Sequence, residues 1–216
     1  MFVGHYAAAL AAKAVQPKAP LWTYVLGAQL IDVAWGVLVL AGVEKLSFDR
    51  ALPGSPLVLS YMPFTHSLPA ALLWAVAAGL VAALVLKLPR AAALAIGLVV
   101  FSHWALDFLV HRADLPLWFG GPKVGLGWWN YPVPEQALEV GLLAVAVSAW
   151  SWRRGRQGHG GWGGPMFVGL LAVMQLVNIL APPTGGAPQM AVSALSAYCL
   201  AALFAWLMDQ GERRVG

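Results

Sequence analysis

Ser102-His103-Trp104-Ala105-Leu106-Asp107-Phe108-Leu109-Val110-His111 closes an apolar run that begins near Ala91. The run is long enough for a helix inside a membrane. Helical residues four apart lie on one face, so His103, Asp107 and His111 form a single stripe of metal-type ligands, one turn apart. An ionisable side chain in hydrocarbon costs several kcal/mol and marks a function by default. Three on one stripe ask what the rest of the chain brings to them.

The composition fixes the setting. Of the 216 residues 60% are hydrophobic and only 10% charged, with a mean hydropathy of +0.73. Soluble domains are about 45–50% apolar and about a quarter charged. The chain therefore reads as an all-α, polytopic integral membrane helical bundle. Its formal charge of +4 records orientation in the bilayer, and without a basic run interleaved with aromatics a nucleic-acid partner is excluded. The single cysteine, Cys199, rules out an intramolecular disulfide and a thiolate metal site, and reads as a small packing residue. The first lysine, Lys13, follows the apolar residues instead of preceding them, so the start reads as a retained helix and not as a signal peptide.

A membrane span needs about 20 apolar residues. By that measure helices are predicted near Leu21–Val43, Ser67–Leu86, Ala91–His111, Glu135–Trp152, Pro165–Leu180 and Met190–Met208, with a short, partial or interfacial one from Phe2 to Val15. This makes six to seven spans. Three units are expected: a helical core, 1–152, that holds the polar residues; a cytoplasmic Arg/Gly-rich linker, 153–164; and two further helices with a basic tail, 165–216. Lys13, Lys18, Lys87, Arg90, Arg153, Arg154, Arg156, Arg213 and Arg214 all fall on one side of the membrane in a seven-helix reading. The positive-inside rule then puts the N-terminus outside and the C-terminus in the cytoplasm.

The remaining ionisable residues collect at the opposite, outer side. His5 lies in the first helix, His66 at the start of the third, and Asp107 and His111 at the outer end of the fourth, with His103 deeper. Glu135 and Glu139 open the fifth helix, and Asp32 sits midway along the second. Thr65 and Ser67 read as N-cap residues, and Glu135 suits the positive end of a helix dipole. Imidazoles and carboxylates without thiolates suit Zn, Fe or Mn. His5, Asp32, His66, His103, Asp107 and His111 exceed the four ligands of one zinc, which makes one or two divalent ions the expected cofactor. A two-metal site activates water and clamps both oxygens of a displacement, with Glu139 or Asp32 as proton acceptor. The connection Arg112–Pro134, rich in Gly, Pro and Trp, is expected to cover the site, with Arg112 and Lys123 facing a substrate phosphate.

At these same residues the sequence resembles a known family. Gly4-His5 before an Ala-rich helix, the segment Gly27 to Asp32, Thr65-His66-Ser67, and His103 four residues before Asp107 resemble the bacterial inner-membrane metal-dependent hydrolases of the LexA-regulated membrane-bound group. The resemblance covers roughly residues 1–145. It implies a metal held by His5, Asp32, His66, His103 and Asp107, hydrolysis as the activity and the inner (plasma) membrane as the location. The chain departs from the pattern with Gln29-Leu30-Ile31-Asp32 where the family often has an acidic pair, and with Met62-Pro63-Phe64 before Thr65-His66 where it has an Arg-containing run.

The expectation is a membrane-bound hydrolase of a phosphoester or other ester, with a small-molecule or lipid substrate, at the periplasmic leaflet. The rival is a transporter-like or accessory subunit whose His/Asp stripe handles protons or packs against a protein partner. A transporter places its polar stripe near the bilayer centre and often shows paired halves; this sequence does neither.

Overall fold

Prolines and one serine decide where the helices start. Pro20 and Pro89 stand in extended conformation immediately before α2, Leu21–Leu40, and α4, Arg90–Val110. Pro132 opens α5, Pro132–Arg156. A proline at the first helical position lacks only an N–H that would be orphaned anyway. Ser67 caps α3, Leu68–Leu84, its Oγ accepting from Ala70 N at 3.3 Å. α2 ends on Gly42, at φ +71°, with Val43 N bonded to Leu38 O at 2.9 Å and Gly42 N to Val39 O at 3.0 Å. That is a Schellman stop, which needs a left-handed residue.

The computed structural model describes residues 1–159, 161–181 and 185–215, with side chains to Gln210. Among the described residues there are seven helices, the other three being α1, Gly4–Val15, α6, Gly163–Leu180, and α7, Ala187–Val215. Two antiparallel hairpins complete it, β1, Lys45–Phe48, with β2, Leu57–Tyr61, and β3, Leu115–Pro116, with β4, Lys123–Val124. The hairpins were not predicted. Leu46 pairs with Leu59, and both turn into a small core with Trp35, Met62, Val110, Leu115 and Trp129.

Four helices are long and apolar enough to cross a membrane: Leu21–Leu40, Arg90–Val110, Gly163–Leu180 and Ala187–Gln210. α3 is a shorter apolar helix, and α5 carries Glu135 near its start and Arg153, Arg154 and Arg156 in its last turn. The outward faces are apolar, as on α3 with Leu72, Leu73, Val76, Leu80 and Leu84. Such a surface suits hydrocarbon, where only elements that satisfy their own backbone survive.

α1 is short, as expected, and lies inside the bundle: α2, α4 and α5 pack around it, and Tyr6, Ala9 and Leu10 are fully buried. Its 12 residues make a helix of about 18 Å, an inner post rather than a wall. Beyond residue 152 the chain stays in contact with the same core. α7 packs along α2, and Phe167, Leu171, Ala201 and Met208 join Tyr6, Tyr24 and Trp150 in the main core. Cys199 is exposed on α7 and does not belong to the core. Arg213 and Arg214 lie outside the residues whose side chains are described.

Candidate metal centre

The fold brings three expected ligands, His5, Asp32 and His66, to the stripe of His103, Asp107 and His111 on α4, so that all six gather. His103 and Asp107 lie one turn apart, both buried. α1 supplies His5 from its first turn, α2 supplies Asp32, and the turn before α3 supplies His66. Asp107 Oδ2 lies 3.2 Å from His103 Nε2 and 3.6 Å from His66 Nε2. Asp32 Oδ1 is 3.3 Å from His66 Nε2 and 3.4 Å from His103 Nε2. Asp107 Oδ1 looks the other way, 3.1 Å from His5 Nε2, 3.5 Å from His111 Nε2 and 3.2 Å from the Met1 amino group. His5 stacks on His103 with ring centres 3.7 Å apart. Within this cluster His5, His103 and Asp107 form one group able to hold an ion, and Asp32, His66 and His103 another.

For His66, His103 and His111 the far side of the ring explains which nitrogen faces the centre; His5 Nδ1 is buried without a hydrogen-bond partner. His103 Nδ1 is 2.8 Å from the Ala28 carbonyl oxygen. A carbonyl can only accept, so Nδ1 carries the proton and Nε2 presents a lone pair in the neutral ring. His111 Nδ1 is 2.9 Å from Asp114 Oδ1, with the same consequence. His66 Nδ1 meets Thr65 Oγ1 at 2.8 Å. The Nε2 lone pairs thus converge on carboxylate oxygens, and acceptor faces acceptor. Protonating the rings does not repair this: the Nε2 atoms of His5 and His103 are buried without a hydrogen-bond partner of acceptable geometry, although carboxylate oxygens lie within ion-pair distance. A buried polar group left so is rare and calls for a cause.

A cation between them supplies one. Metal–ligand bonds of about 2.0–2.2 Å in a tetrahedron put neighbouring donor atoms roughly 3.3–3.6 Å apart. The observed separations run from 3.1 to 3.6 Å. The donor set, imidazole and carboxylate without sulfur, suits Zn, Fe or Mn alike. Further bonds orient the ligands: Tyr198 donates to Asp32 Oδ2 at 2.8 Å, and Asp114 holds His111. The residues fit a divalent ion. Compared with family models, with curated proteins and with solved structures, the chain finds no match. The reading rests on the geometry alone.

A cavity of about 300 Å³ opens beside the cluster. Asp32, His66, Asp107 and His111 reach its wall, with Trp35 and Trp129 beside them and Glu135, Gln136 and Asn178 across it. Its cover comes partly from the long connection, through Trp129 and Pro132, and partly from residues 54–57 of the first hairpin. There Gly54, at φ +66°, sits where any Cβ would overlap the Trp129 carbonyl oxygen.

Three expected residues have other occupations. Glu139 lines the cavity, but its Oε1 accepts from the Phe2 and Gly4 amides and its Oε2 from Gln175 Nε2 at 3.1 Å. It anchors the start of α1. Arg112 donates to the carbonyls of Pro53, Ser55 and Leu57 and to Asn130 Oδ1. Lys123 donates to the carbonyls of Leu59 and Ser60. Neither cation reaches the cavity wall; both tie down the hairpin, because strand edges leave carbonyls that a cation can satisfy. Sequence reasoning missed Tyr198, Gln175 and Glu44. The first two are polar residues on apolar helices, a usable signal. Glu44 lies in the loop after α2; burial pushes its carboxyl up, against hydrogen bonds from Thr65 and Phe64 that hold it down.

Proposed function

We propose that this chain is a membrane-embedded, metal-dependent hydrolase acting on an ester or phosphoester whose substrate carries an apolar part. The observation that supports it is the convergence of imidazole lone pairs on Asp32 and Asp107 at the wall of a cavity. His103 Nε2 has one lone pair and serves one ion, so Asp32, His66, His103 and Asp107 Oδ2 would hold the first. His5, His111 and Asp107 Oδ1 would hold a second, with Asp107 as the bridge. The donor set suits zinc, iron and manganese alike, and the family resemblance favours zinc among them. When bound, the ion acidifies a water and offsets charge developing on an ester oxygen.

The chain's own residues do the rest. Trp35, Trp129, Leu57, Leu59, Ile179 and Met190 make apolar wall for an acyl or similar group, as expected of a pocket with few polar contacts. No arginine or lysine lines that wall, so a phosphate would be held at the centre itself and not by Arg112 or Lys123. Glu135 lines the cavity one turn before Glu139, with Oε2 accepting from Gln136 at 2.7 Å. It takes over from Glu139 as the carboxylate placed to receive a proton, since both Glu139 oxygens are engaged. Asp32, tied to Tyr198, is a ligand rather than a base.

In this reading the bundle crosses the bacterial inner membrane six or seven times. The N-terminus is outside, the C-terminus in the cytoplasm, and the centre opens in the periplasmic leaflet to lipid or small-molecule substrates. The test is metal analysis of the protein purified in detergent. Stoichiometric zinc, iron or manganese in the wild type, lost in His103→Ala, is the expected result; a wild type without metal after loading ends the hypothesis.

A further inference from the structure

Glu44 is buried, with 1% of its surface exposed, in the segment between α2 and β1. Among the described residues it makes no ion pair closer than 4 Å. Burying a carboxylate without a cation is costly, and capping two amides needs no charge: an asparagine, glutamine or serine would serve. What it contacts is therefore informative. Its Oε1 accepts from the Phe64 amide at 2.8 Å and the Thr65 amide at 3.1 Å. Its Oε2 lies 2.6 Å from Thr65 Oγ1, which in turn lies 2.8 Å from His66 Nδ1.

The direction of every bond in that chain follows from its end. An ionised carboxylate only accepts, so the single hydroxyl proton of Thr65 goes to Glu44. Thr65 Oγ1 is then left as an acceptor towards His66, and the imidazole proton must sit on Nδ1. Nε2 is left bare, facing Asp32 and Asp107. We infer that Glu44 is a positioning residue: acting through the Thr65 hydroxyl, it holds His66 in the tautomer that can ligate a metal. This rests on the metal reading above and adds a residue twelve positions beyond Asp32 that touches neither ion nor substrate. Outer partners of this kind fix tautomer and ring orientation at metal sites.

The substitution Glu44→Gln is close to isosteric and reverses the polarity. The glutamine carbonyl can still accept both backbone amides, so the local fold has its bonds. Its NH2 group, however, donates to Thr65 Oγ1. The Thr65 hydroxyl proton then turns to His66 Nδ1, and the imidazole proton moves to Nε2, where it occupies the ligating lone pair.

Two readouts test this on the full chain in detergent. Zinc affinity, by competition with a chelator, is expected to fall 10–100-fold in Glu44→Gln, the loss typical of an outer partner. In metal-free protein, the ¹⁵N shifts of the His66 ring are expected to change from the Nδ1–H to the Nε2–H pattern, which a merely structural cap would not produce. Thr65→Val should weaken zinc as Glu44→Gln does, and Thr65→Ser should bind as wild type; this pair decides the matter should Glu44→Gln fail to fold. Equal zinc affinity in Glu44→Gln with an unchanged tautomer, or in Thr65→Val, overturns the role of Glu44 alone. A wild type that binds no zinc overturns the metal reading and takes the role of Glu44 with it.

Discussion

Both ends of the bundle bury charge, and they do it differently. At the end where α2 begins, Asp209 of α7 accepts from the amides of Leu21 and Trp22, each at 3.0 Å. Lys13 donates to the carbonyls of Pro17 and Ala19 at 3.0 and 2.7 Å, and the Arg154 guanidinium lies over Trp150. The hydrogen bonds of Asp209 and Lys13 each set a donor against an acceptor. At the other end Asp32 Oδ1 and Asp107 Oδ2 face only ring nitrogens that are themselves acceptors in the neutral tautomer. The first arrangement is complete as it stands and caps a helix. The second leaves room for a cation that would complete it, and on the proposed reading this separates a functional cluster from a structural one.

The largest expected effect breaks the comparison at Asp107. Zinc at a hundred times its dissociation constant stabilises a protein that binds it by about 2.7 kcal/mol. Thermal unfolding should show this for the wild type and show nothing for Asp107→Asn. A zinc-dependent gain that survives in Asp107→Asn would place the ion elsewhere. Asp209→Ala should behave in the opposite way: loss of a helix cap costs about 0.5–2 kcal/mol, equally with and without zinc. If zinc altered that loss, the two ends would not be independent.

A smaller effect is expected at Arg112. Its bonds to the carbonyls of Pro53, Ser55 and Leu57 hold the hairpin that covers the cavity. Replacing it by methionine should raise hydrogen exchange in Leu57–Tyr61 by the equivalent of about 1–2 kcal/mol, at or just below the low end of the range for hydrogen bonds to charged groups because these bonds are partly exposed. Zinc binding should not change. Weakened zinc with an unaltered hairpin would return Arg112 to the site.

The contrast also marks how far the sequence could be read. The stripe on α4 was legible because spacing on one helix fixes which side chains share a face. Seven apolar segments gave seven helices, within a few residues at each end except that the last runs to Val215 instead of Met208, since length and the positions of Pro20, Pro89 and Pro132 carry that signal. Relations between distant segments were not legible. Nothing in the local pattern says that Tyr198 meets Asp32 across 166 positions, or that α1 is enclosed by its neighbours. The first hairpin was hidden because Lys45–Phe48 is four residues long and lies among charges. Arg112 and Lys123 were misplaced for a related reason: a loop cation looks available until the backbone carbonyls around it are known. Glu44 was missed because a carboxylate in a loop ordinarily faces water, and only its burial shows otherwise.

The most direct measurement is an anomalous difference map at the zinc absorption edge, from crystals of the zinc-loaded protein. The account predicts a peak bounded by Asp32, His66, His103 and Asp107, within about 2.0–2.2 Å of their donor atoms. A second peak is expected on the His5 and His111 side of Asp107. Fully loaded crystals with no peak among these residues, their imidazoles instead donating to the two carboxylates, would contradict it.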